Sequence, residues 1–350
     1  MRNLLNLSGN LAATVILIGC GFFNAFAQTT ETEEDQAPVS EECLAFAADP
    51  NADVGDVMRA GCEPTLAQMA ALMDNPLGNV AMLFTQFDGY NLENPTNGQD
   101  AEQYVYTGIA QFPKRLSKDW NLINRVVWTA PSIPLDQDRI DNFDDGISNL
   151  QGNFIPPGSP APIDLFDGRT TGFGDLYYVG LFAPTVPEDV LNGKLVWGLG
   201  FDLSFPTASE DILGSDQYSA GPSALAAYLG PKWKFGALVQ HYWDYTGDDD
   251  AADVNFTNLQ YLYYYSLNST TSIGAAPNIL IDWEQDSDND VTLPIGIGIN
   301  KTINIGKVPV RFGVELFYSA IQPDDNVGSE TSWRFYMIPA APSALFKWMQ

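Results

Sequence analysis

The sequence predicts an all-β fold: a transmembrane, antiparallel, up-and-down β-barrel of about twelve strands with a short N-terminal periplasmic helix. Three observations carry that expectation. Between Asn79 and Ala340 apolar residues alternate with polar or small ones in one strand-length segment after another. An apolar leader opens the chain, and the connections between segments alternate in length. Residues 194–205 show the pattern best, with Leu195, Trp197, Leu199, Phe201, Leu203 and Phe205 on one face and Gly198, Gly200, Asp202 and Ser204 on the other. In a soluble sandwich the apolar face would meet a second sheet. Here nearly every segment repeats a polar or glycine-rich inner face, which suits lipid outside and a wet or polar-packed lumen inside.

The leader is read as residues 1–27. Arg2 gives a positive start, residues 11–26 are largely apolar, and Ala25-Phe26-Ala27 has the small-x-small form of a signal-peptidase site. A competing lipoprotein box at Leu17-Ile18-Gly19-Cys20 would place the lipid on Cys20. No segment reaches the roughly 18 unbroken apolar residues of a spanning helix. Export of this kind directs a barrel to the bacterial outer membrane, where its surroundings are outer-membrane lipid and lipopolysaccharide and its insertion falls to the barrel-assembly machinery.

Residues 28–77 read as an acidic periplasmic extension. The chain carries 44 acidic against 16 basic side chains, net charge −28, which rules out electrostatic binding of nucleic acid. Nine of those carboxylates fall between Glu31 and Asp56 with no base among them, the mark of a solvated tail. Cys43 and Cys62 remain after processing, and in an oxidising periplasm they are expected to form one disulfide closing a loop-rich segment. Two thiols without a nearby His do not make a metal site. Residues 64–74 (PTLAQMAALMD) then read as a helix, ended by Asn75-Pro76. Both a lumen plug and a plain surface helix fit it, the latter being the blander reading.

The barrel is assigned to residues 78–341, and residues 342–350 to a C-terminal tail. Its strands are placed at 79–89, 102–113, 119–130, 172–184, 193–206, 217–229, 231–245, 253–265, 270–283, 291–304, 307–321 and 330–341. An even number brings both termini to one side. Starting from the periplasm, the even turns (114–118, 185–192, 230, 266–269 and 305–306) are compact. The odd loops (90–101, 131–171, 207–216, 246–252, 284–290 and 322–329) are longer or richer in charge, as outer loops are. Loop 131–171 is the large insertion, with Asp136, Asp138, Asp141, Asp144 and Asp145 before a Pro/Gly stretch; a loop of that length is functional or disordered. Seven tryptophans (Trp120, Trp128, Trp197, Trp233, Trp243, Trp283 and Trp333) fall near strand ends or flanks, where amphipathic rings meet a bilayer interface, and Tyr261, Tyr263, Tyr264 and Tyr265 extend that girdle.

Four strings, DWNLINRVV (119–127), WGLGFDLSFPTASEDILGSDQYSAGP (197–222), WKFGALVQHYWDYTGDDDAADVN (233–255) and LPIGIGINKTINIGKVPVRFGVELFYSAIQPDD (293–325), resemble one family of bacterial outer-membrane proteins. It is the MetA-pathway-of-phenol-degradation-like family, often labelled "transporter". The resemblance covers roughly residues 75–340 and implies a barrel grouped with uptake channels for hydrophobic compounds; it implies no fixed substrate and carries no catalytic motif. The cysteine-bearing extension and the ending Phe346-Lys347-Trp348-Met349-Gln350 depart from the usual pattern. The insertion signal is therefore sought in residues 333–337 or at Phe346.

Candidate functional residues are those expected to face the lumen at membrane depth, where charge is costly unless paired or hydrated. The inward register gives Arg125, Asp202, Ser204, Gln240, Asp282, Glu284, Asn300, Arg311, Glu315 and Arg334. Arg311, Glu315 and Arg334 are expected to form a charged ladder. It would be either a constriction that selects solutes or a salt-bridged filling of a narrow barrel. Catalysis is not expected: the single histidine, His241, shares parity with Trp243 and so faces outward. The stretch 286–290 opens like a calcium loop but has Val291 where the glycine belongs and Ile297 where the glutamate belongs, leaving at most weak divalent bridging to lipopolysaccharide phosphates. No cofactor is implied, and no Gly-Lys-Ser/Thr nucleotide loop appears. The functional expectation is a passive channel for small or hydrophobic and aromatic compounds; the alternative is a closed structural or surface-binding barrel.

Overall fold

Alternation along each strand leaves one apolar face that only lipid can cover, and backbone groups that water cannot reach; closure of the sheet on itself satisfies both demands. The computed structural model describes residues 40–49, 52, 54–78, 80–94, 98–135, 166, 168–249, 251–324 and 327–342. Contacts divide the chain into Met1–Glu41 and Glu42–Gln350. The leader, Cys20, the acidic run before Ser40, most of loop 131–171, Phe346 and the tail after Pro342 lie outside the described residues.

Among the described residues twelve strands close an antiparallel barrel. They are β1 (Val80–Asn94), β2 (Gln99–Arg115), β3 (Trp120–Ile133), β4 (Leu176–Pro184), β5 (Gly193–Phe205) and β6 (Gln217–Leu229), followed by β7 (Trp233–Gly247), β8 (Asn255–Ser266), β9 (Thr271–Ala275 and Asn278–Asp282), β10 (Val291–Ile305), β11 (Val308–Ile321) and β12 (Gly328–Pro342). The last strand returns to the first, from Val80 opposite Pro342 to Glu93 opposite Gly328. Every strand therefore has two neighbours and no edge is exposed. The compact turns gather at one end, periplasmic by the rule for such barrels.

The two faces differ as the alternation requires. Leu199, Ile297 and Leu316 point outward and are 60%, 64% and 60% exposed, while Asp202, Glu315 and Thr302 point inward and are at most 1% exposed. Aromatic rings cluster at both ends of the outer face. Trp120 meets Trp197, and Trp233 meets Tyr265, at the periplasmic end; Phe87 lies between Tyr104 and Trp333, and Tyr218 between Phe205 and Tyr245, toward the other. Trp333 lies over Gly89 and Trp128 over Gly108, so closely that a Cβ on either glycine would fall within 2.4 Å of the indole. Among the described residues no helix is long and apolar enough to span a bilayer.

β9 departs from the continuous strand expected at 270–283. It breaks at Ala276-Pro277, where proline removes a ladder donor. Opposite the break, Tyr261 and Tyr263 reach over to donate their hydroxyls to the Pro294 and Gly296 carbonyls, each at 2.6 Å. This pair is therefore committed to the backbone as well as to the girdle.

The extension is more regular than its acidic composition suggests. It holds α1 (Glu41–Ala48) and α2 (Val54–Arg59), joined by a Cys43–Cys62 disulfide with Cα atoms 5.4 Å apart. The third helix, α3 (Leu66–Asp74), begins two residues later than the proline placement implies. Thr65 caps it: its hydroxyl accepts from Gln68 N, and Gln68 Oε1 accepts from Thr65 N at 2.8 Å. Gln68 Nε2 in turn donates to the carbonyls of Phe46 and Asp49, tying α3 to α1.

Candidate functional site

The strand register stacks inward residues into rows across the wall. One row runs Asp88, Arg334, Glu315, Gly298, Gly274 and Tyr264, over β1, β12, β11, β10, β9 and β8. Arg334 Nε donates to Asp88 Oδ1 at 2.7 Å, and Arg334 Nη1 donates to the Ala276 carbonyl at 2.9 Å with Glu315 Oε2 at 3.7 Å. Tyr264 donates its hydroxyl to Glu315 Oε1 at 2.8 Å. Gln86 donates to the second Asp88 oxygen, and the guanidinium lies 5.3 Å from the Phe317 ring centroid. Two glycines in succession allow the long reach of Tyr264. A Cβ at Gly298 would fall 2.2 Å from the Val314 carbonyl, and Gly274 has φ +146°. Two carboxylates and one guanidinium are thus buried together with their hydrogen bonds made, the condition under which buried charge is tolerated.

The opposite wall is built differently. Gln111, Arg125, Val179 and Asp202 lie side by side on β2, β3, β4 and β5. Asp202 is fully enclosed; its Oδ1 accepts from Gln240 Nε2 at 3.3 Å, and its Oδ2 has no hydrogen-bond partner. Ser223 lies against that carboxylate, and among the described residues neither its hydroxyl nor that of Ser219 makes a well-formed hydrogen bond. Arg125 forms no salt bridge among the described residues, and its Nε also lacks a partner. Arg125 and Asp202 stand two strands apart, roughly 10 Å by strand spacing.

At the periplasmic end α3 enters this frame. Asp74 accepts from Lys234 of β7 and Arg311 of β11, both at 2.8 Å, and all three side chains are at most 15% exposed. Arg311 also donates to the Ala70 carbonyl at 3.0 Å, and Gln111 to the Pro76 carbonyl at 3.0 Å. The helix is therefore a plug held by charge, and the surface-helix reading gives way. Between the plug and the Arg334 row lies a cavity of about 150 Å³, lined by Met82, Phe84, Leu225, Leu238 and Leu262 among others, with Arg125, Lys234, Arg311 and Arg334 also at its wall.

Eight of the ten residues singled out by parity face this lumen: Arg125, Asp202, Ser204, Gln240, Asn300, Arg311, Glu315 and Arg334. Asp282 shares their register, opposite Phe256 in the row of Tyr242, but sits at the outer end of β9, and Glu284 lies beyond the strand. Asp282 ends β9 and its carboxylate accepts from Glu284 N and Gln285 Nε2, so both residues build the outer turn. The expected ladder is also redrawn. Arg311 and Glu315 lie roughly 13 Å apart along β11, so Arg311 turns to Asp74 and Arg334 takes Glu315. Lys234 and Asp88 were legible by the same parity, in step with Gln240 and Gln86, but neither stood out in the sequence. Asp74 had no sequence signal as a lumenal group.

His241 lies on the outer face beside Trp243, with Nδ1 2.7 Å from the Thr257 hydroxyl. At the outer mouth the enclosed Asp175 accepts from Thr207 N, Ala208 N and both Ser215 N and Oγ, pinning loop 206–216.

Residues 90–319 match the family described as "Putative MetA-pathway of phenol degradation". The chain belongs to that family. It is an outer-membrane β-barrel, set in outer-membrane lipid and lipopolysaccharide. Solved structures similar to this family member include an outer membrane channel from Pseudomonas putida F1, at 14% identity, TM-score 0.49, 75% coverage of this chain and 96% of that one. Outer membrane phospholipase A from Escherichia coli is similar at 11% identity, TM-score 0.40, with 78% and 96% covered. A Pseudomonas aeruginosa FadL homologue is similar at 7% identity, TM-score 0.34, with 75% and 90% covered. No curated protein matches the chain.

Proposed function

We propose that the barrel is a passive route for small, largely apolar or aromatic compounds across the outer membrane, with α3 as its resting closure. The observation that carries this reading is the cavity above the plug. Its volume of about 150 Å³ suits a single ring, since a cavity of about that size accepts benzene, and Met82, Phe84, Leu225, Leu238 and Leu262 give it an apolar side beside its charged and amide groups. The family description points to the same class of solute. The solute gradient would be the energy source, as the sequence has no nucleotide loop. Selection would fall to the inward residues, Arg125, Asp202, Ser204, Gln240, Asn300, Arg311, Glu315 and Arg334; Asp282 and Glu284 would act only at the outer mouth. We assign no catalysis, because His241 is committed to Thr257 on the lipid side. Insertion by the barrel-assembly machinery would use β12, where Phe335 faces outward. Residues 1–27 would be removed as the leader.

The second reading, a closed structural barrel, draws support from the saturated Arg334 row and the charged plug. Planar-bilayer recording and ligand-observed fluorine NMR with 4-fluorotoluene separate the two. On the transport reading, wild type binds fluorotoluene and conducts weakly, and Asp74→Ala conducts more. A folded Asp74→Ala barrel that neither conducts nor binds fluorotoluene establishes the closed reading instead.

A further inference from the structure

We propose that the cavity is a binding site for a one-ring apolar molecule bearing a carboxylate, with that carboxylate seated on Arg125. The inference rests on the transport reading above and names its solute class. It comes from the pairing of the lumenal cations. Arg334 is held between Asp88 and Glu315, and Lys234 and Arg311 share the single carboxylate of Asp74. Arg125, on the same cavity, has no salt bridge among the described residues and an Nε–H with no acceptor.

At the cavity wall four cations, Arg125, Lys234, Arg311 and Arg334, therefore face two acids, Asp74 and Glu315. Two more acids stand behind that wall. Asp88 is committed to Arg334, and Asp202 is fully enclosed, receives Gln240 and does not line the cavity. Asp202 acts on Arg125 only at a distance, as a partial screen. A half-buried guanidinium whose enclosed Nε–H has no acceptor is under-compensated, and an entering carboxylate would supply the missing acceptor and charge. Leu225, Leu238 and Leu262 would take the ring. A hydrated inorganic anion gains nothing from such walls, and an ammonium group would meet the cation excess.

The test is fluorine NMR on the full refolded barrel with 4-fluorobenzoate, 4-fluorotoluene and 4-fluorobenzylamine, each variant first checked for heat-modifiable migration. Wild type should bind fluorobenzoate and fluorotoluene but not the amine. Arg125→Gln should weaken fluorobenzoate about tenfold or more, the worth of one charge-assisted hydrogen bond, and leave fluorotoluene unchanged. Arg125→Lys, which keeps the charge where Arg125→Gln fails to fold, should retain part of the preference. Asp202→Asn should shift fluorobenzoate the other way, toward tighter binding. Fluorobenzoate binding that is unchanged in both Arg125 variants overturns the assignment, as does wild-type binding of fluorotoluene without fluorobenzoate. Wild type that binds neither overturns the transport reading itself.

Discussion

Two walls of one lumen use the same residue types to opposite effect. Around Arg334, an arginine, two carboxylates and a tyrosine are brought into hydrogen-bond contact, with glycines at 298 and 274 clearing the path. Around Arg125, an arginine and an aspartate stand in one row but form no salt bridge, and among the described residues Arg125 Nε, Asp202 Oδ2, Ser219 Oγ and Ser223 Oγ are buried without a well-formed hydrogen bond. The first wall is finished by the protein itself. The second is left for something else to finish. The difference shows that burial of charge is not by itself a stability device; the neighbouring small residues decide whether charges can reach one another.

The sharpest way to break the contrast is Arg334→Ala. It strands Asp88 and Glu315 together without a cation and should cost about 3–5 kcal/mol, the usual penalty for breaking a buried pair. The readout is a large fall in the temperature at which the barrel loses heat-modifiable migration. Arg125→Gln should move that temperature little, because Arg125 forms no salt bridge among the described residues; comparable losses in the two variants would erase the distinction between the walls.

The finished wall can also be attacked through its clearance. Gly298→Ala places a Cβ 2.2 Å from the Val314 carbonyl and against Glu315. About 1–3 kcal/mol of overpacking is expected, as a smaller fall in the same unfolding temperature. Gly306→Ala, at the tip of a turn with φ +61° and open space around it, is the control for strain without overpacking.

Asp74→Ala tests the end of the lumen that both walls share. It removes the common acceptor of Lys234 and Arg311, but both cations line the cavity, where water can take the place of the carboxylate. Barrel stability should change less than in Arg334→Ala, while single-channel conductance rises. Conductance identical to wild type would mean that the capping box and the Gln68 bonds to α1 hold α3 without the latch.

The smallest effect belongs to the outer mouth. Partial burial, then the charges of Asp211, Asp175 and Asp248, push Asp216 above the ordinary aspartate range. A folded-state value raised in this way favours the folded protein most at low pH, and that contribution is lost as pH rises through the raised value. Asp216→Asn should therefore give a slight gain in unfolding temperature at pH 7 that vanishes in acid. Asn tolerates the positive φ of 55° found there.

Much of this molecule was legible as period two. Parity along β3, β5, β7, β10, β11 and β12 put Arg125, Asp202, Gln240, Asn300, Glu315 and Arg334 on the inner face. It failed for Glu284, because β9 ends at Asp282 and the pattern was carried into a turn. The plug was less legible. Residues 64–74 read as a helix from their cap and breakers, but nothing local to Asp74 says that Lys234 and Arg311, far along the chain, converge on it.

The sequence by itself determined the barrel, its strand count, the inner and outer faces and the grouping of compact turns at one end. These follow from side-chain alternation and backbone hydrogen bonding, both written residue by residue. Only the tertiary structure decided which inward charges pair, that α3 enters the lumen, and that Arg125 forms no salt bridge among the described residues. Those outcomes depend on register between strands and on a few ångströms of clearance over Gly274 and Gly298, which exist only once the sheet has closed.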